Sequence, residues 1–542
     1  MTDLQRQAAA SQQSNLLVVA PPGCGKTELL ALRAQELIPG LRPNQRILAL
    51  TFTNRAKTNL SNRLRDFLGR NQFRRYVAVR NFHGHAAEIV RAHGPTIGID
   101  RNDLKFPGRK TIKDAFKPYS VTSDAARAAE ELLAKIKLQP LTDDEVAAEI
   151  DKAGDQLAKR IEKDRIAANQ LHYNDLLRYA QLLLRVDAVE NLYQQHYGAV
   201  LVDEFQDMSL QQLEVAVRSA KASRTFVGDP LQGIYSWAGA DPKQVESFLR
   251  QLCGDPLQLD VSYRSSPAVL GMVNALSAEM GAAPLRAHDP ARWPNGGVAC
   301  ALTYPSREDE AQSVVLGSKL ICDLDPTASV GVITRSGWRR AEIDKAFERH
   351  SVPCRRWDLA VDEPSVLDLL HRFMRTLPAK TSITDARDKI LSLIEPTDVD
   401  TVDQVADAFD QLGGESGDLH TTLGRMTVVD SLAPVGPGIH LLNAHTGKGQ
   451  QFDWVLVPGL EERHIPDRRS TSVDQLAEEC RVLLVMLSRA RKGVIVTRST
   501  TSTDRYGRIW PSNESRWWPP LAQLSINDSR EAWNNVRNFY AS

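Results

Sequence analysis

A short loop rich in proline and glycine constrains this chain more than any other feature of its sequence. An apolar run over 16–20 is typical of a buried parallel strand, and a helical pattern follows from Lys26 to Ile38. Between them stands Ala20-Pro21-Pro22-Gly23-Cys24-Gly25-Lys26-Thr27. This order of strand, loop and helix is that of a Walker A loop, whose backbone N–H groups bind phosphate. The loop departs from the motif at one position, since Ala20 replaces the usual first glycine. A Walker A loop is nevertheless favoured over an ordinary strand–helix turn, because Lys-Thr follows at the offset that the motif requires.

Two acidic residues, Asp203 and Glu204, end another apolar strand at 199–202. At such a position one carboxylate can hold Mg²⁺ through water, while its neighbour orients or deprotonates an attacking water. Lys26 is expected to neutralise the β- and γ-phosphate oxygens, and the Thr27 hydroxyl to ligate the metal. We therefore predict an ATP-hydrolysing site with Mg²⁺ as cofactor and with Thr27 and Asp203 as metal ligands.

Strands and helices alternate along the chain, which predicts an α/β protein with two parallel-sheet cores. Further strands are predicted at 47–53, 225–227, 329–334, 439–442, 454–457 and 494–497. Residues 121–170 are rich in Ala, Lys, Asp and Glu, and Thr142 and Glu145 have capping-box spacing at the start of a helix there. The sequence thus predicts that helical insertions interrupt the cores.

The composition excludes several classes of protein. Lys+Arg and Asp+Glu both total 67 in 542 residues, so the chain is neither a uniformly basic nor an acidic binder. The sequence contains no run of ~18 apolar residues, so no membrane span is predicted. The N-terminus also lacks the apolar core of a signal peptide. The six cysteines contain no CxxC pair, which argues against a disulfide framework or a zinc ribbon. These features predict a cytoplasmic protein without a membrane partner.

The zero net charge hides a basic segment. Between Leu41 and Ser120, 17 Lys+Arg stand against five Asp+Glu, and Phe52, Phe73, Tyr76 and Phe82 lie among them. Basic residues interleaved with aromatic rings suit nucleic acid, because the charges follow phosphates and the rings stack on bases. A solvated helix face is the alternative interpretation.

Eight blocks of sequence, in order, resemble the UvrD/Rep-like superfamily 1 DNA helicases. They are Gln5 (21 residues before Lys26), Leu50-Thr51-Phe52-Thr53-Asn54-Arg55-Ala56, Asn81-Phe82-His83-Gly84, Tyr173-Asn174-Asp175-Leu176-Leu177, Asp203-Glu204-Phe205-Gln206-Asp207 with Gly228–Trp237, Ser262-Tyr263-Arg264-Ser265, Asn443–Phe452, and Glu478-Glu479-Cys480-Arg481 with Ser488-Arg489-Ala490. The resemblance implies two RecA-like P-loop cores with ATP in the cleft between them.

The resemblance also implies roles for individual residues. Arg264 and Arg489, from the second core, are expected to reach the γ-phosphate when the cleft closes, and Gln232 to sense it. The catalytic set is then Lys26, Asp203, Glu204, Gln232, Arg264 and Arg489. The nucleotide-binding set comprises Gln5, Pro22, Gly23, Cys24, Gly25, Lys26, Thr27, Tyr263, Gly449 and Gln451. Gln451 stands where the family has a ribose-contacting Glu, and Ala238 where it has an Arg.

Single-stranded DNA is the expected partner of a further set of residues. By resemblance these are Phe52, Thr53, Asn54, Phe82, His83, Tyr235, Trp237 and His445. Stacking of rings on bases would provide ~1–3 kcal/mol per base with little sequence preference. Core packing is the alternative for any one aromatic residue.

The family plan divides the chain into six segments. They are the first core at 1–97, a helical insertion at 98–169, the return of the first core at 170–255, the second core at 256–377, a reduced insertion at 378–437, and the return of the second core with the C-terminal tail at 438–542. The resemblance implies an ATP-dependent 3′→5′ DNA helicase or translocase in DNA repair, recombination or antiviral defence, acting on single-stranded or 3′-tailed DNA. Two alternatives stay open: a DNA-sensing ATPase switch that regulates a partner nuclease, and an adaptor with vestigial hydrolysis.

Overall fold

The computed structural model describes most of both halves of the chain. The described residues are 2–99, 119, 121–234, 241–357, 372–373, 376–378, 381, 383–393, 405, 435–445, 447–503 and 508–541. Most of the predicted insertion at 378–437, and the segment 235–240 with Tyr235 and Trp237, lie outside them. Among the described helices, none is long and apolar enough to cross a membrane.

The first half of the chain forms a six-stranded sheet in which every pairing is parallel. Its strands are β1 (Asn15–Val19), β2 (Arg46–Thr51), β3 (Val77–Asn81), β4 (Tyr197–Asp203), β5 (Arg224–Gly228) and β6 (Leu257–Gln258). They lie side by side in the order β3-β2-β4-β5-β1-β6. Their central residues are buried on both faces, which explains the continuous apolar runs in the sequence.

Twelve described helices accompany this sheet. They are α1 (Asp3–Ala9), α2 (Lys26–Leu37), α3 (Asn54–Leu68), α4 (Arg70–Tyr76), α5 (Phe82–His93), α6 (Ser123–Ile136), α7 (Asp143–Ala153), α8 (Gln156–Ala167), α9 (Tyr173–Leu184), α10 (Asp187–His196), α11 (Leu210–Ser219) and α12 (Pro242–Cys253). Helices α6–α8 share a small hydrophobic core of their own. The predicted capping box at Thr142 and Glu145 is present at the start of α7.

The second half forms a seven-stranded sheet and a two-stranded ribbon. The ribbon pairs β7 (Val261–Ser262) with β8 (Arg286–Ala287). The sheet contains β9 (Val298–Ser306), β10 (Ser329–Thr334), β11 (Arg355–Arg356), β12 (Gly438–Asn443), β13 (Phe452–Val457), β14 (Ala490–Thr503) and β15 (Ile509–Pro511). Its order is β11-β12-β10-β13-β14, with β9 parallel and β15 antiparallel to β14.

Seven further described helices belong to this half. They are α13 (Pro267–Glu279), α14 (Arg307–Leu324), α15 (Gly337–Arg349), α16 (Ile383–Leu391), α17 (Val473–Leu487), α18 (Trp518–Gln523) and α19 (Ser529–Ala541). One hydrophobic cluster contains side chains from both sheets, such as Leu16 of β1 and Val494 of β14. The two halves therefore pack against each other.

The predicted fold class is confirmed: the chain is α/β, with two largely parallel sheets and helices between their strands. Each predicted strand corresponds to an observed one, whereas β3, β6, β9, β11, β15 and both strands of the ribbon were not predicted. Tyr197–Asp203 and Ala490–Thr503 extend well beyond the short runs that the sequence indicates. The six segment boundaries stay a prediction.

Candidate active site

The Pro/Gly loop lies between β1 and α2, as the sequence indicates. Gly23 and Gly25 have φ angles of 80° and 78°, the left-handed region that favours glycine. The segment after β7 approaches this loop closely, since a Cβ atom on Gly23 would lie 2.5 Å from Ser262 Oγ and 2.7 Å from Arg264 Cβ. The second half of the chain thus covers the loop.

Lys26, the first residue of α2, faces the carboxyl end of β4. Its Nζ donates a hydrogen bond to Glu204 Oε2 at 2.9 Å. Burial opposes the lysine charge, but the nearby carboxylates of Glu204, Asp229 and Asp203 raise its pKa above the ordinary value. Lys26 is therefore a fixed positive charge beside three carboxyl groups.

Glu204 is held in a fixed orientation. Its backbone is left-handed, with a φ of 57°, although it carries a side chain. Gln206 donates from Nε2 to Glu204 Oε2 at 2.6 Å, and its Oε1 accepts from the Asp229 N–H at 2.9 Å. Gln206 is fully buried, so this amide rigidly links the ends of β4 and β5.

Asp203 and Glu204 have opposite electrostatic environments. Burial and the charge of Glu204 raise the pKa of Asp203. Burial acts in the same direction on Glu204, but Lys26 and Lys448 outweigh it and lower the pKa of that carboxyl. Two neighbouring carboxyls whose pKa values are pushed apart are a common arrangement for dividing catalytic roles.

The residues present fit a magnesium ion. Asp203 Oδ1 is buried and has no hydrogen-bond partner within the part of the chain that the structure describes. Thr27 lies one position after Lys26 on α2, and its hydroxyl is a second oxygen donor at the same end of the sheet. Mg²⁺ is usually bound by one or two oxygen ligands from the protein, and water and substrate phosphates complete its coordination.

Three guanidinium groups of the second half gather at this edge. Burial and repulsion from Arg489 and Arg491 lower the pKa of Arg264 to about 9. Arg489 lies directly before β14 and donates to Gln232 Oε1 at 3.2 Å and to Ser488 Oγ at 2.9 Å. Such a cluster of like charges has the chemistry that a strongly anionic group requires.

Gln232 and Lys448 connect the two sheets. Gln232 Nε2 donates to Asp229 Oδ2 at 2.9 Å, and its Oε1 accepts from Arg489. Lys448 Nζ donates to both carboxylate oxygens of Asp207 at 2.7 Å and to the Gln232 carbonyl at 2.9 Å. Sequence reasoning gave Lys448 and Asp207 no role, although both lie inside the blocks that carry the family resemblance.

Gln5 and Tyr263 lie at the other side of the loop. Gln5 Nε2 donates to the Cys24 carbonyl at 2.8 Å, and its Oε1 lies 3.3 Å from the Tyr263 hydroxyl. The Tyr263 N–H donates to the Gly23 carbonyl at 2.9 Å, and its ring stacks on His288 at 4.3 Å. The structure therefore brings these two predicted nucleotide contacts together.

The remaining predicted nucleotide-binding residues lie in two regions, the Pro/Gly loop and the turn before β13. Pro22 and Cys24 are buried within the loop, and burial raises the pKa of the Cys24 thiol to about 12, so this side chain is a packing group. Gly449 has a φ of 86° in the turn before β13. Gln451 Oε1 accepts from Arg491 at 2.9 Å, beside the guanidinium cluster.

Most described residues of the predicted DNA set lie at the carboxyl ends of strands. Thr53 caps α3 directly after β2, and its hydroxyl accepts from the Ala56 N–H at 3.1 Å. Asn54 Oδ1 accepts from Asn81 Nδ2 at 2.5 Å. His83, after β3, contacts the Tyr173 ring in a tilted arrangement, with ring centres 4.3 Å apart.

The other members of that set differ in their surroundings. Phe52 is half-buried, and His445 follows β12 with its pKa lowered to about 4 by burial and by Arg335 and Lys448. Phe82 is only 1% exposed and packs in the core of the first sheet. A ring buried in this way cannot stack on a base, so Phe82 is not part of the DNA surface proposed below.

These features define a class of enzyme: nucleoside triphosphate hydrolases in which two RecA-like sheets meet over one phosphate-binding loop. The profile of the UvrD/REP helicase N-terminal domain matches residues 1–252, and that of the UvrD-like helicase C-terminal domain matches residues 404–501. The chain belongs to the UvrD/REP helicase family, whose members hydrolyse ATP.

Curated relatives agree with this assignment. DNA helicase II of Rickettsia typhi is 22% identical, and the match covers 91% of each chain. DNA helicase II of Escherichia coli is 27% identical over 51% of this chain and 40% of its own length. The ATP-dependent DNA helicase PcrA of Leuconostoc citreum is 24% identical over 65% of this chain and 49% of its own. The chain thus spans about half or less of the latter two proteins.

Proposed function

We propose that the chain is an ATP- and Mg²⁺-dependent motor that moves 3′→5′ on single-stranded DNA and separates duplex strands. The observation that carries this proposal is the contact of Arg489, from the second sheet, with Gln232, from the first, beside Lys26 and Glu204. Groups from two bodies that meet over one phosphate site allow hydrolysis to be coupled to relative motion of those bodies.

The catalytic roles follow from the contacts. Lys26 neutralises the phosphate oxygens, and Glu204, ionised and oriented by Gln206, positions and activates the attacking water. Asp203 and the Thr27 hydroxyl would hold Mg²⁺, which supplies charge neutralisation at the phosphates.

The second sheet supplies the positive charge that hydrolysis requires. Arg264 and Arg489 stabilise the charge that develops on the transferring phosphoryl group. Gln232 accepts a hydrogen bond from Arg489 and donates one to Asp229. Because of this position between the two sheets, Gln232 senses whether the γ-phosphate is present.

The nucleotide base and sugar are bound around the loop. Gln5 and Tyr263 bind the adenine, and Gly449 and Gln451 lie on the ribose side. The loop residues Pro22, Gly23, Cys24 and Gly25 shape the phosphate cradle, in which the two left-handed glycines leave room for the backbone to approach phosphate.

Single-stranded DNA lies across the carboxyl ends of the two sheets. Thr53, Asn54 and His83 contribute from the first sheet and His445 from the second, with Phe52 as a stacking ring. Tyr235 and Trp237 lie outside the described residues, and the family resemblance alone assigns them to DNA contact. The division into two cores with insertions at 98–169 and 378–437, and a cytoplasmic role in repair, recombination or defence, complete the proposal.

The polarity of strand separation tests this proposal. Duplexes with a 3′ tail or a 5′ tail, otherwise identical, are incubated with ATP and Mg²⁺, and strand release is followed by fluorescence. We expect release from the 3′-tailed duplex and none with Lys26→Ala. DNA-stimulated hydrolysis without release from either duplex would contradict the motor and favour a DNA-sensing switch that acts on a partner nuclease.

A further inference from the structure

Helix α4 lies at the edge of the first sheet opposite the candidate nucleotide site, and the end of α3 leads into it. Helix α3 begins at the carboxyl end of β2 and runs for 15 residues, which is about 22 Å at 1.5 Å per residue. Helix α4 then leads directly into Val77, the first residue of β3, which pairs with Ile47 near the start of β2. These helix segments therefore lie at the amino edge of the first sheet, opposite the edge that carries the Walker A loop.

Four arginines on these segments, which we name the arginine patch, are exposed. They are Arg65, Arg70, Arg74 and Arg75. Among the residues that the structure describes, no carboxylate lies within ion-pair distance of any of them. Their neighbours differ, because Arg63 pairs with Glu28 and Arg80 pairs with Glu88. The patch thus presents charge that the fold itself does not use.

Aromatic rings hold two of these guanidinium groups in place. Arg65 Cζ lies 5.5 Å from the centre of the Phe73 ring, and Arg75 Cζ lies 5.1 Å from the centre of the Tyr76 ring. Both rings pack on the hydrophobic core beneath the sheet. A guanidinium that is already ordered on a ring loses less conformational freedom when it binds an anion.

The character of the patch favours nucleic acid over a protein partner. Between positions 65 and 76 the four arginines stand against Asp66 alone, a net charge of +3. The other exposed side chains of α4 are Asn71 and Gln72, whose amides can donate hydrogen bonds to a ligand, while the two rings pack against the hydrophobic core. The buried centre of a protein interface is apolar, and the exposed side chains of α4 offer no apolar group. Nucleic-acid interfaces, in contrast, are polar and strongly positive.

We propose that the arginine patch binds the sugar–phosphate backbone of DNA, as a second surface separate from the track across the carboxyl ends of the sheets. The proposal rests on the proposed function, since that function makes DNA the partner. The shared chemistry is a row of phosphates, which either duplex or single-stranded DNA supplies.

Binding measured against salt concentration tests the patch. Arg74→Gln with Arg75→Gln removes two charges but keeps hydrogen-bonding side chains. Arg530→Gln with Arg537→Gln is the matched control, because these arginines are also exposed on a helix, α19. Fluorescence anisotropy with a blunt duplex, and separately with a single strand, gives the affinity of each protein at several salt concentrations without nucleotide.

We expect the patch variant to bind at least one form of DNA about tenfold more weakly, with a shallower salt dependence. The slope of log K against log salt should fall by about 1.8 for duplex or about 1.4 for single strand, if both phosphate contacts are lost. The form of DNA that shows the change identifies the source of the phosphates. The control variant should retain the original affinity and slope on both forms.

Unchanged affinity and slope on both forms of DNA would overturn the proposal. So would weakened binding to polyglutamate with unaltered binding to DNA, because that result would indicate an acidic protein partner. DNA-free ATP turnover serves as the test of folding, and Arg70→Gln, at the exposed start of α4, is a second variant should the first fail it. If DNA does not stimulate ATP hydrolysis by the original chain, the proposed function is contradicted. This outcome is independent of the salt slope, so failure of the proposed function can be distinguished from failure of the patch.

Discussion

Lys448 Nζ lies 2.7 Å from both carboxylate oxygens of Asp207, and this buried ion pair joins the two sheets beside the candidate catalytic carboxylates. The Lys448 side chain is 10% exposed and that of Asp207 is 4% exposed. The same ammonium group donates to the Gln232 carbonyl and lowers the pKa of Glu204. The turn that follows β12 is therefore anchored to the hydrolytic end of β4.

Replacing Lys448 should weaken hydrolysis much more than replacing Lys243, an exposed lysine that also pairs with a carboxylate of the other half of the chain. Lys448→Met leaves Asp207 buried without its partner, which is costly in a water-poor site. Lys243 pairs with Asp474, but those side chains are 69% and 77% exposed, so Lys243→Met removes a pair of little worth. Steady-state turnover with single-stranded DNA should fall at least tenfold for the first variant and less than twofold for the second. Equal effects would contradict the role given to the buried pair.

Glu204→Gln should slow hydrolysis by about 10²–10⁴-fold, the usual contribution of a general base. The amide can still accept a hydrogen bond from Lys26, so binding of a fluorescent ATP analogue should change little. Glu28→Gln, on the same helix as Lys26 but paired with Arg63, provides the control. Single-turnover hydrolysis measures the chemical step, and a rate for Glu204→Gln within tenfold of the original would exclude it as the base.

Arg489→Ala should lower kcat by about 10³-fold or more, as for arginines that neutralise a phosphoryl group in transfer. Arg516→Ala should leave kcat unchanged, because that arginine pairs with Glu462 on the surface. Since Arg489 is assigned to the transition state, KM for ATP should change much less than kcat. A rise in KM with kcat retained would show that it contributes only to ground-state binding.

His85 should make the fold sensitive to acid. It is fully buried beside Ser219, and burial, with a smaller contribution from Arg80, lowers its pKa to about 3. The unfolded chain has a histidine pKa near 6.5, so this stabilisation is present above that pH and is lost as the pH falls toward the folded value. Between pH 7 and pH 5 the loss amounts to about 2 kcal/mol.

His85→Gln removes this titration and retains a hydrogen bond to Ser219. Urea unfolding at pH 7 and pH 5 should therefore show a smaller fall in the free energy of unfolding for His85→Gln than for the original chain. His350→Gln, at the half-exposed end of α15, should behave as the original chain does. If the free energy of unfolding falls by the same amount for His85→Gln and the original chain, protonation of His85 does not cause the loss of stability.

Local patterns were enough to predict much of this structure. The loop, the Lys-Thr that follows it and the two carboxylates after β4 are continuous stretches with defined spacing, and the structure brings Lys26 and Glu204 into contact. Burial on both faces of parallel strands also leaves a clear apolar run, which is why β1, β2 and β4 were found.

The features that could not be predicted from the sequence depend on contacts between segments that are far apart in the chain. Lys448 and Asp207 are 241 positions apart, and nothing local marks either as half of a buried pair. Phe82 stands within a resembling block, yet its ring turns into the core, because helix α5 begins there and buries that face. The position of the arginine patch likewise follows only from the length and direction of α3.

Steady-state ATP hydrolysis measured with and without single-stranded DNA is the decisive test of the proposed motor. We expect hydrolysis that requires Mg²⁺ and that single-stranded DNA stimulates strongly, and Lys26→Ala should abolish it while leaving DNA binding largely intact. Hydrolysis that persists in Lys26→Ala, or the same rate with and without DNA, would show that the chain is not a DNA-driven motor with its catalytic site at Lys26.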